Sequence, residues 1–211
     1  MTGKIKSCKN FINQISEIMI KIKILENLKY LSNLAPKTLK TITQRAYQRD
    51  IPEGHSLVIE GMAAEACYFV LSGQLRVSRM NKDGRIQILS RLGRGAPVNI
   101  ISLLKEERLN HASVESLTPA TLLVISANDF DYLIENYPDF SSILLKIFAE
   151  RMAKITDLAA DLSLYTVRAR LAQFLIELAD QPAAAGGWTQ DEIAAHIGTV
   201  RDVVGRLLRD F

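Results

Sequence analysis

The spacing of apolar positions changes twice along the chain. From about Pro52 to Ser126 it is that of short strands: HSLVIE, CYFVLSG, QLRVSRMN, RIQILSRL, ASVESL and ATLLVIS, each rich in Val, Ile or Leu. Glycines at 54, 61, 73, 84, 93 and 95 punctuate these runs. Asp83-Gly84 predicts a tight turn, because glycine reaches positive φ without a Cβ clash. Many short strands at this spacing predict an antiparallel barrel or roll rather than a parallel sheet.

Beyond Ser126 the period is helical. Ser126 is placed to cap a short helix through Asn136, and Pro138 fixes a new start. In the long helix that follows, Leu145, Phe148, Met152, Ile155, Ala159 and Leu162 fall at spacings of 3, 4, 3, 4 and 3. That is a heptad seam, which suits a helix pairing with a copy of itself. The same stripe also suits a helix packed on its own strands, and both hold if different faces are used. A further helix, Val167 to Ala179, carries Val167, Leu171, Phe174, Leu175 and Leu178 on one side. Gln181-Pro182 ends it, and PAAAGG reads as a short connector. At the other end, residues 1–30 hold six Lys against two acids. There IMIKIKIL is ambiguous between strand and helix, and Met19 offers an alternative start.

The last segment, WTQDEIAAHIGTVRDVVGRLLRDF, has the most specific pattern. Thr189 followed three residues later by Glu192 is a capping box, which satisfies two amide donors at a helix start. Ile193, Ala194 and Ile197 face inward, and Gly198 breaks the helix. Thr199 then caps a second helix, whose Val203, Val204 and Leu207 face back on the first. Ala194 is small where the helices cross. That packing leaves Val200, Arg201, Asp202 and Arg206 on the outer face near the second helix's start. This is the geometry of a helix-turn-helix, whose second helix offers its N-terminal side chains to the DNA major groove. Arginine suits the task because its planar fork takes two guanine acceptors at once. Asp202 suits a cytosine amino group or an arginine to be held in place. The alternative is a plain helical hairpin with a solvated charged face.

Composition narrows the field without deciding it. The chain has 211 residues, nearly half of them apolar, and a net charge of +3 that makes no case for nucleic acid by itself. Cys8 and Cys67 have no spacing for a metal knuckle or redox pair and suggest a reducing compartment. The apolar stretch around Ile15 to Leu31 is interrupted by Lys21, Lys23, Glu26 and Lys29, and falls short of the roughly 20 residues a membrane span needs. The expectation is a soluble, cytoplasmic protein with no membrane partner. His55, His111 and His196 lie far apart, and no nucleophile elbow, P-loop or metal-ligand spacing accompanies them; His196, on the first helix of the last segment, reads as a surface or phosphate-facing residue. These features argue against an enzyme, a cofactor or a metal site.

In order and spacing, the roll segment EGMAAEACYFVLSGQLRVSRMNKDGRIQIL, the long helix, LSLYTVRARLAQFLIELADQP and TQDEIAAHIGTVRDVVGRLLRDF resemble the Crp/Fnr family of bacterial transcription regulators. The resemblance runs from about Leu31 to Phe211. It implies an α+β fold: an antiparallel β-roll of the double-stranded jelly-roll type, a long dimerisation helix and a C-terminal helix-turn-helix. The domains implied are a basic extension at 1–30, a cyclic-nucleotide-binding-like sensor roll at 31–137, the dimerisation helix at 138–164 and the DNA-binding domain at 165–211. It further implies a homodimer on a pseudo-palindromic operator in double-stranded DNA, with RNA polymerase and a small-molecule effector as further partners. Arg201, Asp202 and Arg206 would read bases, while Thr189, Gln190, Thr199 and Val200 would complete the DNA-binding set. The family often has Glu where Asp202 stands.

Two departures stand out. Cyclic-AMP binders of the family carry Gly-Glu, whose glutamate accepts from the ribose hydroxyl. A later Arg-Ser/Thr-Ala follows, whose arginine pairs with the cyclic phosphate. Here Asn99-Ile100 and Asn110-His111-Ala112 take those places, so both charged contacts are absent and cyclic AMP is not the expected effector. The implied pocket comprises Asn99, Ile100, Asn110 and His111, with Arg108 as a substitute cation and Ile155 and Thr156 from the long helix. It would suit a neutral or aromatic effector, or stand filled by Ile100. A lone Cys8 cannot build an iron–sulfur cluster, and His55, His111 and Cys67 are the roll's only candidates for a haem ligand. The second departure is at the C-terminus. The chain ends at Phe211 without the family's wing, and from Tyr165 onward holds five Arg against six acids. The expectation is a cut-short or degraded form, so the alternative function is a ligand-sensing or interaction module whose helix-turn-helix no longer reads DNA.

Overall fold

In a computed structural model, residues 22–84, 86–180 and 188–210 are described. Met19, Cys8, the 182–187 connector and Phe211 lie outside them. The described chain divides into two compact units, residues up to 75 with 92–147, and residues 76–91 with 148–211.

Among the described residues, eight strands form two antiparallel four-stranded sheets. They are β1 (Tyr47–Ile51), β2 (Ser56–Val58), β3 (Ala66–Ser72), β4 (Leu75–Met80), β5 (Ile86–Leu92), β6 (Pro97–Val98), β7 (Ser113–Ser116) and β8 (Ala120–Ser126). One sheet has the order β1-β8-β3-β6 and the other β2-β7-β4-β5. This is the expected roll. The β3–β8 register sets Tyr68 opposite Val124 and Phe69 opposite Leu123. Both strands are central and nearly all their residues are buried, which explains why CYFVLS and ATLLVI are unbroken apolar runs rather than alternating ones. Between β3 and β4, Gly73 stands at φ +86°, and a Cβ there would lie 2.5 Å from the Pro119 carbonyl oxygen. No other residue fits that turn without backbone movement. Gly84 closes the β4–β5 turn, its N–H donating to Asn81 O at 3.0 Å.

Seven helices complete the named elements: α1 (Pro36–Arg45), α2 (Ile100–Leu104), α3 (Ala127–Asn136), α4 (Pro138–Leu164), α5 (Val167–Asp180), α6 (Gln190–Ile197) and α7 (Arg201–Asp210). Ser126 caps α3 by accepting from the Asp129 N–H, and α3 packs on β3 and β8. Phe130 meets Phe140 edge-to-face at 5.9 Å in the roll's core. Asp139, at the start of α4, accepts from the Ala35 N–H at 2.9 Å and from the Thr38 hydroxyl at 2.7 Å. Burial pushes its carboxyl up, but these hydrogen bonds outweigh that and hold it below the usual range.

The long helix α4 uses two faces. Phe140, Ile143, Leu144 and Ile147 are buried near its start. Of the heptad stripe, Leu145, Met152 and Ile155 are 70%, 66% and 60% exposed. Ala159 is exposed, Phe148 is half-buried, and the Leu162 side chain lies outside the described ones. No described helix is long and apolar enough to cross a membrane.

Candidate nucleic-acid interface and nucleotide-pocket positions

The helix-turn-helix is built from the core outward. Leu171 and Phe174 of α5, Ile193, Ala194 and Ile197 of α6, and Val204 of α7 are buried together. Thr189 caps α6 with both halves of the box in place, Oγ1 accepting from the Glu192 N–H at 3.2 Å and Glu192 Oε2 accepting from the Thr189 N–H at 2.9 Å. Gly198 ends α6 in the left-handed region at φ 71°, where its N–H bonds back to Ala194 O. The Thr199 N–H donates to the same carbonyl at 2.9 Å. That turn aims α7 across α6. A second small residue permits the crossing: a Cβ on the buried Gly205 would lie 3.0 Å from Gln190 Oε1.

This packing brings the candidate DNA-binding residues together. Thr189 and Gln190 lie exposed at the start of α6, Thr199 is half-buried in the turn, and Arg201, Asp202 and Arg206 are exposed on α7. Val200 is 43% exposed. Arg201 is 3.8 Å from Asp191 of α6, with both side chains about two-thirds exposed. Such a surface pair is too weak to withhold the arginine from a ligand.

His196 is the residue that sequence reasoning misplaced. Expected at the surface or facing phosphate, it is instead packed against both Phe174 and Trp188, with ring centroids at 5.1 and 5.2 Å. Burial lowers its pKa, with Arg91 in the same direction and Glu177 opposing. Among the described residues its Nδ1 has no hydrogen-bond partner. The sequence also gave no sign of an open cleft of about 560 Å³ beside it, where Asp157, Tyr165, Arg170, Glu177 and His196 converge.

The roll's candidate pocket residues differ in kind. Asn99 holds the left-handed conformation at φ 63°, where the resemblance has glycine. Its Nδ2 donates to Ala66 O at 3.1 Å and to Asn110 Oδ1 at 2.9 Å. Asn110 Nδ2 in turn donates to Ile59 O and Ala63 O. Ile100 is fully buried and Asn110 is 8% exposed. Arg108 does not turn toward these residues' amides: its Nη2 donates to both carboxylate oxygens of Asp131 on α3 at 2.8 Å. His111 is exposed. Ile155 and Thr156 belong to the other unit, Thr156 donating to Met152 O. Cys67 is fully buried, and burial drives its thiol far up in pKa, away from the thiolate a metal or redox partner needs. No cluster of metal-ligating side chains occurs among the described residues.

Known proteins are similar to this chain. Residues 48–137 match the cyclic nucleotide-binding domain family. Over 179 residues the chain is 29% identical to the cAMP-activated global transcriptional regulator CRP of Salmonella typhimurium, covering 82% of this chain and 85% of that one. Over 196 residues it is 26% identical to the CRP-like cAMP-activated global transcriptional regulator of Mycobacterium tuberculosis, covering 89% and 87%. Over most of its length the chain is thus similar to CRP-like transcriptional regulators. The fold agrees. The c-di-GMP responsive global regulator CLP of Xanthomonas campestris superposes with a TM-score of 0.72 at 22% identity, covering 83% of this chain and 91% of that one. The catabolite activator protein of Thermus thermophilus gives 0.58 at 28% identity, covering 86% and 85%.

Both of these curated relatives are transcriptional regulators.

Proposed function

We propose that the protein is a homodimeric, DNA-binding transcription regulator whose sensor roll does not take cyclic AMP in the manner of its relatives. The observation that carries the first half is the division of labour on α6 and α7. Their apolar side chains are consumed in one small core, while Val200, Arg201, Asp202 and Arg206 face solvent from the first turns of α7. Pairing of two copies through Leu145, Phe148, Met152, Ile155, Ala159 and Leu162 would set two recognition helices roughly 34 Å apart, one DNA turn. The operator would then be pseudo-palindromic. Residues 31–137, 138–164 and 165–211 serve as sensor, pairing helix and DNA reader in this scheme, in the cytoplasm and with RNA polymerase as the onward partner.

The second half rests on Asn99, Ile100 and Asn110. The named relatives are cAMP-activated, and this chain places neither a carboxylate nor a guanidinium at the matching positions. The amides there bond to one another and to backbone carbonyls. Any effector would have to bind two states of the regulator with different affinity to act at all. The test is titration of an operator duplex with and without cyclic AMP. Equal affinity is expected, and an increase of about tenfold or more, about 1.4 kcal/mol, would refute the second half alone.

A further inference from the structure

By sequence β4 and β5 are ordinary roll strands, yet their hairpin grips the first helix of the helix-turn-helix, inside the same compact unit. Arg76 Nη1 lies 3.0 Å from Glu192 Oε1 and Arg91 Nη2 lies 3.1 Å from Glu192 Oε2, with the three side chains only 26%, 12% and 13% exposed. The Arg91 guanidinium also sits 3.9 Å from the centroid of the Trp188 ring. Gln87 Nε2 donates to the Ala195 carbonyl one turn further along α6. Three side chains from two strands thus hold α6 at its cap and in its body.

We propose that Arg76, Gln87 and Arg91 form a latch that fixes the helix-turn-helix in its DNA-reading orientation; this rests on the DNA-binding function proposed above. The latched arrangement leaves Arg201, Asp202 and Arg206 exposed, so the latch favours reading rather than hiding the recognition face. Its chemistry suits the role. Charge-assisted hydrogen bonds at this burial are stronger and less screened than surface pairs. Two guanidiniums share one carboxylate, and each adds its own part of the hold. A lysine in place of Arg91 would supply charge but neither the planar fork nor the stack on Trp188. A tethered domain loses rotational freedom when it docks on DNA, and the latch imposes that loss beforehand. Arg76, Gln87 and Arg91 are therefore positioning residues, not base readers.

Trp188 is the chain's single tryptophan, so its emission reports the latch directly. The experiment uses the full chain with Arg91→Ala, Arg91→Lys, Gln87→Ala and the double variant Arg76→Ala/Arg91→Ala. Trp188 emission and acrylamide quenching are read without DNA, and operator affinity is read with a duplex selected by the wild type. The expected results for Arg91→Ala are a changed emission, stronger quenching and an affinity about tenfold lower, the scale of one lost hydrogen bond to a charged group. Arg91→Lys should recover part of the affinity but not the stacked emission. The double variant should fall furthest and Gln87→Ala least. Unchanged Trp188 emission in Arg91→Ala overturns the latch. So does unchanged or raised operator affinity in a double variant that melts like the wild type. A wild type that binds no duplex refutes the DNA reading itself, a failure visible before any variant is compared.

Discussion

Two polar constellations in this chain stand in opposite states. In the roll, the amides of Asn99 and Asn110 bond to each other and to the carbonyls of Ala66, Ile59 and Ala63, beside a fully buried Ile100. On α7, Arg201, Asp202 and Arg206 stand exposed above a core that needs none of them. Both sets are the binding positions that the sequence resemblance implies. A position in a motif says where a site would be. The hydrogen bonds already made there say what is left for a ligand.

The comparison breaks most severely if the pairing helix is altered. Ile155→Asp places a charge in the seam and forfeits about 1.5–3 kcal/mol of side-chain burial in each copy. Sedimentation should show monomers, and operator affinity should fall by more than a hundredfold. A monomeric variant that still binds tightly would refute dimer-dependent reading. Next in size is Arg201→Ala, which removes one base contact worth about 1–3 kcal/mol. Affinity should fall roughly five- to 150-fold with relaxed preference at one operator position, while the melting temperature stays put. Asn110→Ala probes the other site. It removes the hydrogen bonds that Asn110 donates to Ile59 O and Ala63 O and accepts from Asn99 Nδ2, each worth about 0.5–1.5 kcal/mol. Thermal denaturation should show that loss, with no change in the response to cyclic AMP.

Smaller effects sharpen the comparison. Gly198→Ala forces a Cβ into the left-handed turn at a cost of about 1 kcal/mol, which a melt should detect. His196 supplies a pH signature. Its pKa is lowered from 6.5 by burial, so the unfolded chain takes up the proton first. The stability that neutral His196 contributes is complete above pH about 6.5 and is lost as pH falls toward the folded value. The melting temperature should therefore decline on that acid side, and His196→Phe should flatten the decline.

The helix-turn-helix was legible because its signals are local. A capping box, one glycine and an apolar stripe fall within 20 residues, and each fixes backbone geometry by itself. The strands were legible for the same reason. Missed were β1, whose YQRDI exposes four of five residues at a sheet edge, and β6, only two residues long. Helix α1 was missed because it buries Thr38 and Thr43 alongside Leu39 and Ile42, which blurs the apolar stripe, although Pro36 marks its start. His196 was misread because the aromatic ring that covers it, Phe174, is 22 residues upstream. The hairpin's hold on Glu192 joins residues 116 apart, and no spacing rule connects them. Short-range chemistry was written in the pattern, and long-range satisfaction was not.

The most direct test is selection of bound duplexes from a random DNA pool, with the full chain, at near-physiological salt and without cyclic AMP. A two-fold-symmetric site with half-sites one helical turn apart should be enriched, and Arg201→Ala should lose preference at one position of each half. Recovery of no sequence preference, or of an asymmetric single half-site, would contradict a dimer that reads DNA through α7 without cyclic AMP.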